Sequence, residues 1–175
     1  MDVSVKVGIE ELTVTIPEYK NGWKVRANPT GEIYNYDDGK TYPYLFWEGK
    51  KNGGIEANAG TVVDKANLEK FLQESLSQLG LNDKESREFK EFWLPKMQAV
   101  RQPYLLVSFA GTEEFNKVAP LEIIPKPQTL IRVFMYYTPL NEKIEVPAQK
   151  LFSKPRQGFT VVEWGGTSSD GWQYK

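Results

Sequence analysis

Three ionisable residues stand inside runs of aromatic and aliphatic residues: Glu48 in "YPYLFWEG" (42–49), Arg132 in "TLIRVFMYY" (129–137) and Glu163 in "GFTVVEWGG" (158–166). An unpaired charge among rings is costly, so partners are expected, and the simplest arrangement pairs Arg132 with one or both glutamates. Such a group fits two chemistries. One is a structural ion pair within a sheet or at its edge. The other is a polar centre in an aromatic-lined cleft. There, two carboxylates about 5 Å apart would suit retaining glycoside hydrolysis and a wider gap would suit inversion. In that reading Glu48 and Glu163 carry the reaction and Arg132 orients them. Trp47 and Trp164 flank the two glutamates, and Trp23 follows a turn signal; these three rings are candidates for stacking on a sugar. The competing role for each ring is packing in a core.

Composition removes most other chemistries. The 175 residues include no Cys and no His. Thiol nucleophiles, disulfides, the Ser-His-Asp triad and Cys/His zinc sites are therefore excluded. The "DDGKT" stretch (37–41) ends like a phosphate loop but has Tyr34 where the first glycine belongs, so it reads as a turn. No cofactor and no metal is implied. The net charge of −1 supplies no positive surface for phosphates, so nucleic acid is not an expected partner. No apolar run reaches the length of about 18 residues needed for a spanning helix, so membrane insertion by this chain is not expected. Hydrophobic content of 40% against 26% charged residues is the balance of a folded globular chain with a real core.

The candidate residues need elements to hold them. Residues 2–16 alternate with period two, through Val3, Val5 and Val7 and then Leu12, Val14 and Ile16, which predicts a hairpin turning near 8–11. Turn signals at 21–23, 29–32 and 37–40 divide the next stretch into short strands, with 42–48 as one more, giving an antiparallel meander. In 42–48, Tyr42, Tyr44, Phe46 and Glu48 would share one face. Residues 51–60 read as a Gly- and Asn-rich loop.

The period then changes. Leu68, Phe71, Leu72, Leu76 and Leu79 fall on one helical face, Asp64 can cap its start, and Gly80 sits where a terminating glycine belongs. Asn82 and Glu85 have the spacing of a capping box for a second helix, which Pro95 is expected to break. A two-helix hairpin is thus inserted at about 64–94. Strands follow at 103–110, 121–125, 129–137 and 158–166, with a weaker edge strand at 141–146. The class is α+β, mostly antiparallel sheet with an inserted helical hairpin. It is organised as one domain over 1–166 with a loose tail at 167–175.

Five stretches also carry a resemblance: "LTVTIPEYKNGWKVRANPTGEI", "YPYLFWEG", "FLQESLSQLGLNDKESREFKEFWLPKM", "PKPQTLIRVFMYYTPL" and "GFTVVEWGG". In this order, over 3–166, they resemble an uncharacterised prokaryotic domain family found in bacterial proteins that are often secreted or envelope-anchored. The resemblance implies an extracellular or cell-envelope setting and an upstream Lys-Pro-rich strand before Met1. It carries no activity, cofactor or catalytic residue. The expectation is a binding or structural module, whose partner is a cell-surface polysaccharide or a protein. A carboxylate-dependent hydrolase acting on glycans is the alternative.

Overall fold

The computed structural model describes residues 1–50 and 59–169. They form an α+β fold of mostly antiparallel sheet, and the chain divides into two compact units. The first comprises Met1–Gly54 and Asn116–Pro127; the second comprises Ile55–Phe115 and Gln128–Lys175.

The first unit contains β1 (Asp2–Val7), β2 (Glu11–Ile16), β3 (Trp23–Ala27), β4 (Ile33–Asn35), β5 (Lys40–Tyr42) and β6 (Phe46–Lys50), joined later in the chain by β9 (Leu121–Ile124). Five of these make one sheet in the order β5-β4-β3-β1-β9, and β2 pairs with β6 in a separate ladder. Val3, Val7, Trp23 and Val25 from the early strands and Ala119 and Ile123 from the later segment are buried apolar residues of this unit.

Two expectations fail in this unit. Residues 2–16 form two strands but not a hairpin, because β1 has both edges occupied, by β3 and by β9. Gly8, just past β1, donates its N–H to the Pro120 carbonyl (2.8 Å), so the chain is held beside the approach to β9 instead of turning back. The stretch 42–48 is also not one strand. Tyr42 ends β5 and Phe46 begins β6, with Pro43, Tyr44 and Leu45 between them outside any ladder. Proline has no N–H to give a ladder, so the run breaks where it stands.

The β4–β5 turn is fastened by a carboxylate. Asp38 accepts from the Tyr42 hydroxyl (2.5 Å) and from the Lys40 N–H (3.0 Å). The Tyr42 hydrogen bond holds the Asp38 carboxyl below its ordinary 3.8, and Asp38 in turn pushes the Tyr42 hydroxyl above its ordinary 10.0. A depressed carboxyl stabilises the fold above its unfolded pKa and loses that contribution as pH falls through the folded value. A raised phenol contributes below its unfolded pKa and loses that as pH rises through the folded one. The fastening therefore spans the range between the two titrations. An NMR titration of Tyr42→Phe should move the Asp38 midpoint up toward 3.8; an unmoved midpoint would show that the hydroxyl does not set it.

The second unit contains β7 (Thr61–Asp64), a 3₁₀ turn at Lys65–Asn67, α1 (Leu68–Gln78), α2 (Asp83–Ala99), β8 (Tyr104–Ala110), β10 (Thr129–Leu140) and β11 (Thr160–Ser168). Helix α3 (Thr112–Val118) begins in it and carries the chain back into the first unit. The sheet order is β11-β10-β8-β7. Leu68, Leu72 and Leu76 of α1 and Phe89, Trp93 and Met97 of α2 recur every fourth residue and are buried with Leu105, Val107, Ile131, Val133 and Met135 of the sheet. Asp64 caps the 3₁₀ turn by accepting from the Ala66 N–H (2.9 Å), and Asn82 and Glu85 form the full capping box of α2. Gly80 closes the turn between the helices at φ +90, a conformation suited to glycine.

Here, too, there are differences. Helix α2 runs through Pro95 to Ala99, because fully buried Met97 draws the last turn onto the core. Lys96 Nζ donates to the Phe92 carbonyl (2.7 Å) in the turn that the proline disturbs. Strands β10 and β11 are parallel, the exception in an otherwise antiparallel sheet. Residues 141–146 form no strand and belong to the irregular crossover that a parallel pair requires. Thr167 and Ser168, expected in the tail, are the last residues of β11; 170–175 lie outside the described residues, as does most of the expected loop at 51–60. Among the described residues no helix is long and apolar enough to cross a membrane.

Candidate functional site

In the β10–β11 register Arg132 lies directly beside Glu163. Strand alternation puts both side chains on one face of the sheet, opposite the face bearing Ile131, Val133 and Met135. Arg132 Nε donates to Glu163 Oε2. The Arg132 side chain is 0% exposed and that of Glu163 15%. Phe115, from α3, lies over the guanidinium with its ring centroid 4.0 Å from Cζ, and it packs on Phe134 at 4.6 Å between centroids. A cation held against a ring face and a carboxylate is favourably placed on both sides.

The backbone at this point is completed by a side chain. β8 ends at Ala110, opposite Phe134, which leaves the preceding part of β10 without a strand partner on that side. Thr112 supplies one: its Oγ1 accepts from the Arg132 N–H at 3.1 Å. The same device recurs at the other edge of β8. Gln149, in the crossover, accepts from the Phe109 N–H (2.8 Å) and donates to the Phe109 carbonyl (3.0 Å), as a neighbouring strand would. Arg156, also in the crossover, donates to both Glu85 carboxylate oxygens and to the Gly80 carbonyl (2.7 Å), and Glu85 raises its pKa.

Glu48 is on β6 opposite Val14 and Trp47 is opposite Thr15, both in the first unit and both half-buried. Arg132 and Glu163 thus belong to one compact unit and Glu48 to the other. Trp23 is 1% exposed, its Nε1 donates to the Pro17 carbonyl (2.9 Å), and Tyr19 meets it edge-on at 4.8 Å. Its faces are used in packing, and no sugar can stack on them. Trp164 is half-buried, between Phe89 at 5.4 Å and Phe92 at 6.3 Å. Phe115, Thr112, Gln149 and Arg156 were not marked by type or spacing. The available signal for α3 was Thr112 followed by two glutamates and an apolar pair at Phe115 and Val118, in only seven residues.

Compared with protein-family models, curated proteins and solved structures, the chain matches none of them.

Proposed function

We propose that this chain is a binding or structural module of a bacterial secreted or envelope protein, and that its carboxylates serve architecture and not turnover. The observation that supports this is the Arg132–Glu163 pair. A general acid or nucleophile must reach substrate. Glu163 is engaged by a fully buried guanidinium in a mostly covered position. The envelope setting rests on the resemblance carried by the five sequence stretches, and the partner it suggests is a surface polysaccharide or a protein.

The test is an assay of the whole chain on peptidoglycan and on soluble polysaccharides, read as new reducing ends, beside pull-down on the same materials. The expected result is no release above blank for the native chain and for Glu163→Gln alike. Release that disappears in Glu163→Gln, and in Glu48→Gln, would replace this reading with a glycan hydrolase.

A further inference from the structure

The five-stranded sheet of the first unit has two chemically different faces. Val3, Val7, Trp23, Val25 and Ile123 lie on one of them and are buried. Strand alternation puts the residues between them on the other. There the register sets Arg26 between Asp2 on β1 and Tyr34 on β4, and in the next row Ser4 between Lys24 and Ile124. Tyr36 follows β4 and continues that row, since its N–H donates to the Lys24 carbonyl (3.0 Å). Lys24, Arg26, Tyr34, Tyr36 and Ile124 are all exposed.

Part of this face is already ordered. The Tyr36 hydroxyl donates to Asp2 Oδ1 (2.5 Å), which also accepts from Arg26 Nε (3.3 Å). The Arg26 guanidinium carbon lies 5.5 Å from the centroid of the Tyr36 ring, and Tyr34 meets that ring at 85°, with 5.5 Å between centroids. Tyr36 is therefore held in one orientation while 43% exposed. A ring fixed before binding loses little freedom when a ligand arrives. The charges are answered unevenly. Arg26 has Asp2, and Lys6 stands across from Glu122. Lys24, on the middle strand, has Ser4 and Tyr36 as cross-strand neighbours, and among the described residues its ammonium has no ion-pair partner.

We infer that this face holds an acidic polysaccharide, with a uronic-acid carboxylate on Lys24 and a sugar ring against the tyrosine pair. This deepens the binding reading proposed above and rests on it. Two features choose the occupant. The unanswered charge in the middle of the face is positive, so the ligand brings a carboxylate. The centre of the face is lysine, serine and arginine, while the aliphatic side chain of Ile124 stands on the outermost strand, β9. A protein partner needs a dry centre, from which lysine is depleted. A glycan keeps much of its water and is held by hydrogen bonds, by charge and by its C–H groups on the electron-rich faces of aromatic rings.

The experiment titrates the whole ¹⁵N-labelled chain with polygalacturonate, with alginate and with methyl-esterified polygalacturonate, which has the same backbone without the charge. One or both acidic polymers should bind and shift amides 24, 26, 34 and 36. The methyl ester should bind about tenfold more weakly, or less than that. Lys24→Glu should weaken binding to the acidic polymer by about the same factor. Lys84→Glu, the same charge change at an exposed lysine of α2, should leave it unaltered. Tyr36→Ala should weaken binding as well, and Tyr34→Ala takes its place if that variant does not fold. The inference is overturned if neither acidic polymer binds, if the methyl ester binds equally, or if Lys84→Glu weakens binding as much as Lys24→Glu. It is also overturned if polyglutamate binds as tightly, which would make this a face for acidic protein segments. A polysaccharide or protein that binds with shifts confined to other residues removes this inference but leaves the binding reading standing. Glycan turnover lost in Glu163→Gln would remove the binding reading itself.

Discussion

Glu163→Ala should destabilise the second unit by about 3–5 kcal/mol, because it leaves the Arg132 guanidinium buried without its carboxylate. The cost belongs to the stranded charge more than to the lost attraction, since a buried pair gains little over apolar residues of similar volume. The double change Arg132→Met with Glu163→Leu removes both charges and leaves apolar side chains beside Phe115 and Phe134, so it should be far milder than the single change. Glu163→Gln should fall between, as its amide oxygen can still accept from Nε. Urea unfolding followed by hydrogen exchange of β10 amides measures all three. A double variant as unstable as the sum of its single changes would show that the two residues are not coupled and that the pair is not a structural element.

The same pair shows what a sequence carries and what it does not. Arg132 and Glu163 stand out because a charge inside a run of rings needs a partner. Glu48 stands out for the same reason, and "FWEG" and "VEWG" are near mirror images in composition. The register that sets Glu163 beside Arg132 is fixed by the whole topology and not by the residues within a strand. Alternation in 2–16 marked the buried side of β1, with Val3 and Val7, but not of β2, where Val14 and Ile16 are exposed and the register shifts after Leu12, and it said nothing of who pairs with whom. The helices were legible for the opposite reason. Their hydrogen bonds are local, so Leu68, Leu72 and Leu76 mark the core-facing side, and Asn82 with Glu85 mark the start of α2. Thr112 and Gln149 could not be marked in advance. Each matters only because the returning chain places a hydroxyl or an amide where a ladder lacks a partner.

Pro95 exposes a related limit. Its local effect is to end a helix, and the core overrides it when the next turn can bury Met97 completely. In the same way, Trp23 beside a turn signal looked accessible, whereas Tyr19 and the Pro17 carbonyl enclose it. Burial is a property of what comes back to meet a residue, and for these two positions that contact depends on the folded chain around them.

Trp93→Ala should cost about 3–5 kcal/mol, the range for emptying a large aromatic site in a packed core. Trp93 is 3% exposed, meets Phe92 at 5.1 Å and Tyr137 at 6.3 Å between ring centroids, and joins α2 to β10 and β11. Its seat on β11 is made by a missing side chain. A Cβ on Gly166 would stand 3.0 Å from the Trp93 ring and 2.7 Å from the Met135 carbonyl oxygen. Gly166→Ala should therefore also destabilise, by about 1–3 kcal/mol as overpacking does. The two changes separate the obstacles. Removing the ring relieves one close contact, but the Met135 carbonyl is backbone held in the β10 ladder and cannot withdraw. Trp93→Ala with Gly166→Ala should thus lie close to the sum of the single losses, measured by urea unfolding of all three variants. Trp164→Ala should cost less than Trp93→Ala, because its ring is only half-buried. A double variant restored to the stability of Trp93→Ala alone would show that the ring, and not the strand backbone, is what requires glycine at 166.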